Sequence, residues 1–207
     1  MRAEVMVEDI PKPERAIIAD YDDEGVFVYQ AFEPSIVEAA LEKGTFGRGF
    51  NLERMTWIKP SFGWMLYRSN YAMAHRQEAI LKIELPHEAF LAILRQAVPT
   101  AFDRRLHATE DEWRSALKHT DVRYQWDPDR DWRLRKLSRR AIQLGLQGAV
   151  VKDYVGSIIG LEDGTALAHT CRQASAEGAD RPSSYPLERE YPVPEDVRRG
   201  MGMAEAR

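Results

Sequence analysis

The order in which strand-like and helix-like stretches succeed one another constrains this chain most. AIIADY and GVFVYQAF, rich in β-branched and aromatic residues, flank an acidic turn at residues 22–25 and predict a β-hairpin. EPSIVEAALEKG follows, with Pro34 in its first turn and Gly44 just past its end, the asymmetry of a short helix. MTWIK predicts a strand running into a helix that starts at Pro60, AILKIEL a further strand, and HEAFLAILRQAV a helix. Thr109 and Glu112 have capping-box spacing ahead of a short helix through Leu117, and VRYQW alternates as a strand does. Asp127-Pro128 reads as a cap and first helical position, opening a basic helix from Asp129 to Leu144 that ends near Gly145. VVKDYV and SIIGLED read as two more strands. Without regular βαβ alternation, an internal repeat or a heptad run, the succession predicts an α+β fold: one twisted mixed or antiparallel sheet packed with several short helices.

A length of 207 residues suits one domain with loose ends. The boundaries expected are an N-terminal arm over 1–13, the domain over 14–170, and a Pro-rich polar C-terminal arm over 171–207. A single cysteine, Cys171, excludes an internal disulfide and a CxxC zinc pair, and points to a reducing cytoplasm. Neither a signal-peptide core nor a run of about 18 apolar residues is visible, so a membrane location is not expected. A net charge of −4 argues against coating nucleic acid by bulk attraction. Two islands depart from it. Residues 48–76 hold five basic residues and one acidic, and residues 121–140 hold seven basic and four acidic. Such islands are either solvated faces or a shared anion-binding surface.

RMTWIKPSFGWMLYRS, residues 54–69, sharpens the choice. Helical spacing puts Phe62, Met65, Leu66 and Ser69 on one side as a core stripe, and Ser61, Trp64, Tyr67 and Arg68 on the other. The second set combines rings, hydroxyls and a guanidinium, a mixture suited to stacking on a planar ring and pairing with an anion. Lys59 and Ser61 flank Pro60 at the helix start, where free N–H groups and the dipole favour a phosphate or carboxylate. In RYQWDPDR, strand alternation groups Arg123, Gln125 and Asp127 on a polar face, with Arg130 beyond them. GTFGRGF lacks the Lys-Ser/Thr of a P-loop and reads as a turn or an anion-cradling loop. The five histidines are too scattered for a metal site, so no metal is expected. Glu162 and Asp163 follow a strand, either as a site edge or as a simple turn.

RMTWIKPSFGWMLYRS, VRYQWDPDR and RAIQLGLQG, in the order VYQAF, RMTWIKPSF, QWDP, IQLGL, resemble the uncharacterised DUF4291 family from about Ile17 to Thr165. Members read IRAxYD where this chain has IIADYD, so Ile18 stands where an Arg is usual. More distantly, a strand ending Tyr-Gln and a helix closing EKG look like the opening of ADP-ribosyltransferase folds, which split NAD in a sheet cleft. That likeness implies roles for Tyr29 and Gln30, for Ser61 or Tyr67, and for Glu162. The expectation is therefore a nucleotide-binding enzyme, with NAD as candidate cofactor and ADP-ribosyltransferase-like transfer to a nucleic-acid or small-molecule acceptor. Lys59, Arg68 and Arg130 would hold phosphates, Trp64 or Tyr67 would stack on a base, and Tyr67, Gln125 or Glu162 would act at the reacting sugar, with Tyr29, Gln30, Ser61 and Asp127 around them. The residues equally allow a non-catalytic module that binds nucleic acid or an acidic partner through the basic helix 129–140, or an interaction protein using its Pro-rich tail.

Overall fold

The computed structural model of the chain describes residues 15–203, so the arm expected over residues 1–13 lies outside the described residues. In chain order the elements are β1 (Ile18–Ala19), β2 (Gly25–Phe32), α1 (Pro34–Lys43), β3 (Thr56–Ile58), α2 (Phe62–Ser69), β4 (Ala79–Pro86), α3 (His87–Gln96) and β5 (Val98–Pro99). There follow α4 (Glu110–His119), β6 (Val122–Arg130), β7 (Lys136–Leu146), α5 (Ala149–Gly156), β8 (Gly160–Asp163), α6 (Thr165–Glu177), β9 (Arg189–Glu190) and α7 (Glu195–Gly200). Mixed strands and short helices make this an α+β fold, as the succession predicts.

Two sheets organise it. One is three-stranded in the order β2-β4-β8, the other four-stranded in the order β3-β7-β6-β5. They meet at a single bridge, where Tyr29 and Lys59 exchange backbone hydrogen bonds of 2.7 and 3.1 Å. Val26, Val28, Leu81, Ile83, Leu144 and Leu146 belong to the larger core cluster. Tyr29, Ile80, Phe62, Met65, Leu66 and Cys171 form a second cluster beneath α2. The core stripe predicted for α2 is thus real, with Phe62, Met65, Leu66 and Ser69 all buried.

Four local predictions need correction. AIIADY and GVFVYQAF do not form a ladder with each other: the Asp22 turn and one Tyr21–Val26 bridge exist, but β2 pairs over its whole length with β4, and β1 pairs with β9. An eight-residue strand satisfies more backbone groups against an equally long partner than against a two-residue one. The basic helix over 129–144 is absent. Its residues are the second half of a β6–β7 hairpin, turned by Asp131, whose Oδ1 accepts the Arg133 and Arg135 amides at 2.9 Å each. Ile142, Leu144 and Leu146, apolar at alternate positions, carried the strand signal against the Asp-Pro cap signal. VVKDYV, expected as a strand, is helical within α5, because Val150, Val151 and Tyr154 share one helix face toward the core. The helix after MTWIK starts at Phe62 with Ser61 as its cap, not at Pro60.

The polar C-terminal stretch is tied into the domain. Cys171 lies inside α6, and Tyr191, Val193, Val197, Met201 and Met203 sit in the larger core cluster. Among the described residues no helix is long and apolar enough to cross a membrane.

Candidate functional site: a basic pocket at the sheet seam

The bridge between the sheets fixes where Lys59 must go. Its backbone is pinned to Tyr29, and its side chain points into a cavity of about 550 Å³ between β2, the 44–55 loop, α2 and β7. That volume lies within the ~300–1,000 Å³ range of small-molecule sites. Gln30, Lys59 and Arg68, all predicted from sequence, line it together with Arg54, Arg76, Gln143 and Glu33. The glycine-rich loop contributes too: Gly49 lines the cavity at φ 90°, a backbone region that favours glycine, next to Phe50 and Asn51.

Charge in the cavity is one-sided. Among the described residues its lining has four cations, Arg54, Lys59, Arg68 and Arg76, against one carboxylate, Glu33. Glu33 is already engaged, accepting from Arg76 Nε at 3.0 Å. Among the described residues the side chains of Arg54, Lys59 and Arg68 have no hydrogen-bond or ion-pair partner. Lys59 is only 6% exposed. Burial, with the Arg68 guanidinium repelling it, brings its ammonium down to about 8, against a smaller opposing pull from the Asp127 carboxylate.

A polar framework holds the walls. Gln30 donates from Nε2 to Thr56 Oγ1 at 2.5 Å and accepts the Tyr154 hydroxyl at 2.8 Å. Asp127 accepts from Gln125 at 2.8 Å and from Gln143 at 2.6 Å, so the polar face predicted for VRYQWDP is a hydrogen-bonded relay reaching the cavity through Gln143. Asp127 is thereby a strand residue facing the pocket side, not a helix cap. Trp57 packs over Gly145, where an added Cβ would lie 2.9 Å from the indole, and the ring forms part of the cavity wall.

Other predicted residues are occupied elsewhere. Ser61 caps α2 by accepting from the Trp64 amide at 3.2 Å, and it donates to Asp129 Oδ1 at 3.2 Å. The helix start is no open anion site: the Phe62 amide already donates to Glu188 Oε1 at 2.5 Å. Asp129, fully buried, is paired with Arg139 at 2.6 Å. Burial pushes the Glu188 carboxyl up to about 8, opposed by the Phe62 amide and reinforced by Asp129. Trp64 is buried and stacked on Tyr67 at 5.1 Å, and the Arg130 guanidinium sits 4.1 Å from the Tyr67 ring centroid. These three residues therefore stack on one another outside the pocket lining, and the Trp64 Nε1 and Arg130 Nε atoms are buried without a hydrogen-bond partner among the described residues.

Tyr29, Lys82 and Glu162 are cross-strand partners in one row, on the sheet face opposite Gln30. Tyr29 is buried against Phe62, its hydroxyl without a hydrogen-bond partner, and burial raises it well above the usual phenol range. Glu162 is exposed and pairs with Lys82 at 3.5 Å. Consequently Tyr67, Gln125 and Glu162 do not converge. The basic residues of 129–140 are also largely engaged, Arg135 with Asp131, Arg139 with Asp129, Arg133 with the Ala179 carbonyl and Arg140 with the Trp126 carbonyl. No helical basic face presents them to a nucleic acid.

Sequence reasoning missed Arg54, Arg76, Glu33 and Gln143 as individual site residues. Arg54 and Arg76 stand within the basic island of 48–76, which was the available signal. Gln143 was hidden by its assignment to a helix, although it is the direct cross-strand partner of Gln125. A family model described as "Domain of unknown function (DUF4291)" matches residues 16–191. Among curated proteins, none matches the chain.

Proposed function

The chain belongs to the DUF4291 family, whose description assigns no chemistry, and we propose from the pocket itself that it binds an anionic, nucleotide-like small molecule at the sheet seam. One observation carries this reading: Arg54, Lys59 and Arg68 converge without an acidic partner, while the one carboxylate in the lining is spent on Arg76. Gathering two exposed guanidiniums around the buried Lys59 ammonium carries a cost in self-repulsion, and a bound phosphate or carboxylate offsets it. The guanidiniums of Arg54 and Arg68 supply paired donors for such a group, and Gln30, Gln143 and Asn51 supply neutral donors for the rest of the ligand. Trp57 and Phe50 give the same cavity aromatic wall.

NAD belongs with the nucleotides in this proposal, and group transfer from it would be read as nicotinamide release. The test is a thermal-shift panel of inorganic phosphate, ATP, NAD and a short RNA. Stabilisation by the small anions, lost in Arg68→Ala, is expected, with the unliganded melting temperature of that variant close to the parent because Arg68 is exposed and unpaired. A shift produced by RNA alone, falling steeply with salt, would replace the pocket reading with backbone binding to nucleic acid.

A further inference from the structure

Lys59 stands apart from the other pocket cations. Arg68 and Arg54 are exposed and can meet an anion from the solvent side, whereas Lys59 is buried at the inner end of the cavity with its amine unpartnered. Its main chain is clamped by the hydrogen bonds to Tyr29, so the amine is presented from a rigid position. Two guanidiniums already suffice to hold an anionic group, which leaves beside it a desolvated primary amine with no hydrogen-bond or ion-pair partner among the described residues. We infer that Lys59 is a covalent nucleophile toward a carbonyl-bearing anion held by Arg54 and Arg68, forming a Schiff base. This inference rests on the pocket reading above and adds a reaction to it.

In the step, the uncharged Lys59 nitrogen donates its lone pair to the carbonyl carbon and a C–N bond forms. The carbonyl oxygen takes up a proton to give a carbinolamine. Loss of the remaining N–H proton and of the hydroxyl as water leaves a C=N bond, so one carbonyl and one amine yield one imine and one water, with no oxidant or reductant consumed. A lysine desolvated next to another cation is kept partly uncharged at neutral to mildly basic pH, as this step requires. Here burial and Arg68 act together on Lys59 in that direction. Asp127, held by Gln125 and Gln143 outside the cavity lining, exerts only the smaller opposing pull on the Lys59 charge, and the protons that leave nitrogen pass to solvent in the cavity.

The test uses the full chain and pyridoxal 5′-phosphate as a phosphate-bearing aldehyde, with borohydride reduction and peptide mass mapping. Expected is a single adduct at Lys59, formed ahead of the chain's six other lysines, Lys12, Lys43, Lys82, Lys118, Lys136 and Lys152, suppressed by inorganic phosphate and slowed several-fold in Arg68→Ala. Labelling spread over the surface lysines with no preference for Lys59 would overturn the inference. A parallel thermal shift with inorganic phosphate separates the two claims. Stabilisation without a Lys59 adduct defeats the nucleophile and leaves the anion pocket standing; a Lys59 adduct that phosphate neither suppresses nor accompanies with stabilisation defeats the anion pocket instead.

Discussion

Replacing Lys59 by methionine removes the ammonium while keeping an unbranched side chain of similar length, and the structure sets the size and sign of the effect. In the folded chain the ammonium is brought from 10.5 to about 8, first by burial and then by Arg68. That lowering corresponds to about 3 kcal/mol of instability carried by the charged form. Between pH 8 and 10.5 the unfolded chain holds the proton and the folded chain does not, so stability contributed by this group is complete above 10.5 and is lost as pH falls to 8. Lys59→Met should therefore be more stable than the parent by about 3 kcal/mol at pH 7, which in a chain of this length is a rise of roughly 6–12 °C in melting temperature. At pH 9.5, well inside that window, the gap should have shrunk to less than half its value at pH 7. The assay is urea unfolding of both proteins across pH 6–10, read as their difference. Inorganic phosphate, held by Arg54 and Arg68 in both proteins, should stabilise the parent more than the variant, which lacks the third cation, and so narrow the gap. A Lys59→Met protein no more stable than the parent at pH 7, or a difference that does not change above pH 8, would refute the claim that this amine is buried and unpartnered.

Glu188 acts in the neighbouring pH window with the opposite sign: its carboxyl is raised from 4.5 to about 8, so stability present below 4.5 is lost as pH rises to 8, and Glu188→Gln should gain on the parent over that range and level off above it in the same unfolding series. Gly63→Ala should destabilise by about 1–3 kcal/mol in chemical denaturation, because its Cβ would lie 2.3 Å from the Arg130 carbonyl oxygen, where α2 crosses β6. Gly145→Ala should displace Trp57 and weaken anion binding more than it lowers the melting temperature, a split readable by calorimetry and thermal shift on the same sample.

Elements whose local signals agree were legible in the sequence. The Pro34-to-Gly44 helix, the Thr109–Glu112 capping box with both of its hydrogen bonds, and AILKIEL as a strand all stand where the residues place them. The β6–β7 hairpin was misread because Asp127-Pro128 carries a strong helix-start signal, and the Asp131 turn that decides the matter depends on its carboxylate reaching amides up to four residues on. Among the cavity's lining residues, Lys59 and Arg68 follow from the mixture of charge, hydroxyl and aromatic residues over 59–68, and Gln30 only from the distant likeness to ADP-ribosyltransferase folds. Ser61, Trp64, Tyr67 and Arg130 carried the same mixture but lie outside the pocket, Ser61 held by Asp129 and Tyr67 packed against Trp64 of its own helix and Arg130 from β6. Residue type alone does not distinguish a group waiting for a ligand from one already satisfied across the fold. The occupied start of α2 is the sharpest case, since nothing near Phe62 in sequence announces Glu188.

That long-range contact bears on how the chain is made. Phe62 emerges 126 residues before the carboxylate that receives its amide, and β1 waits still longer for β9. During synthesis the inner wall of the cavity would be assembled around a helix start capped by Ser61 alone, with the Phe62 amide still open, and the seam would become complete only once the last segment is released. Contacts of such wide sequence separation slow folding. A chain ending at Cys171, although it would retain Arg54, Lys59 and Arg68, would lack the element that closes the helix behind them, and should accumulate as a loosely packed, protease-sensitive species.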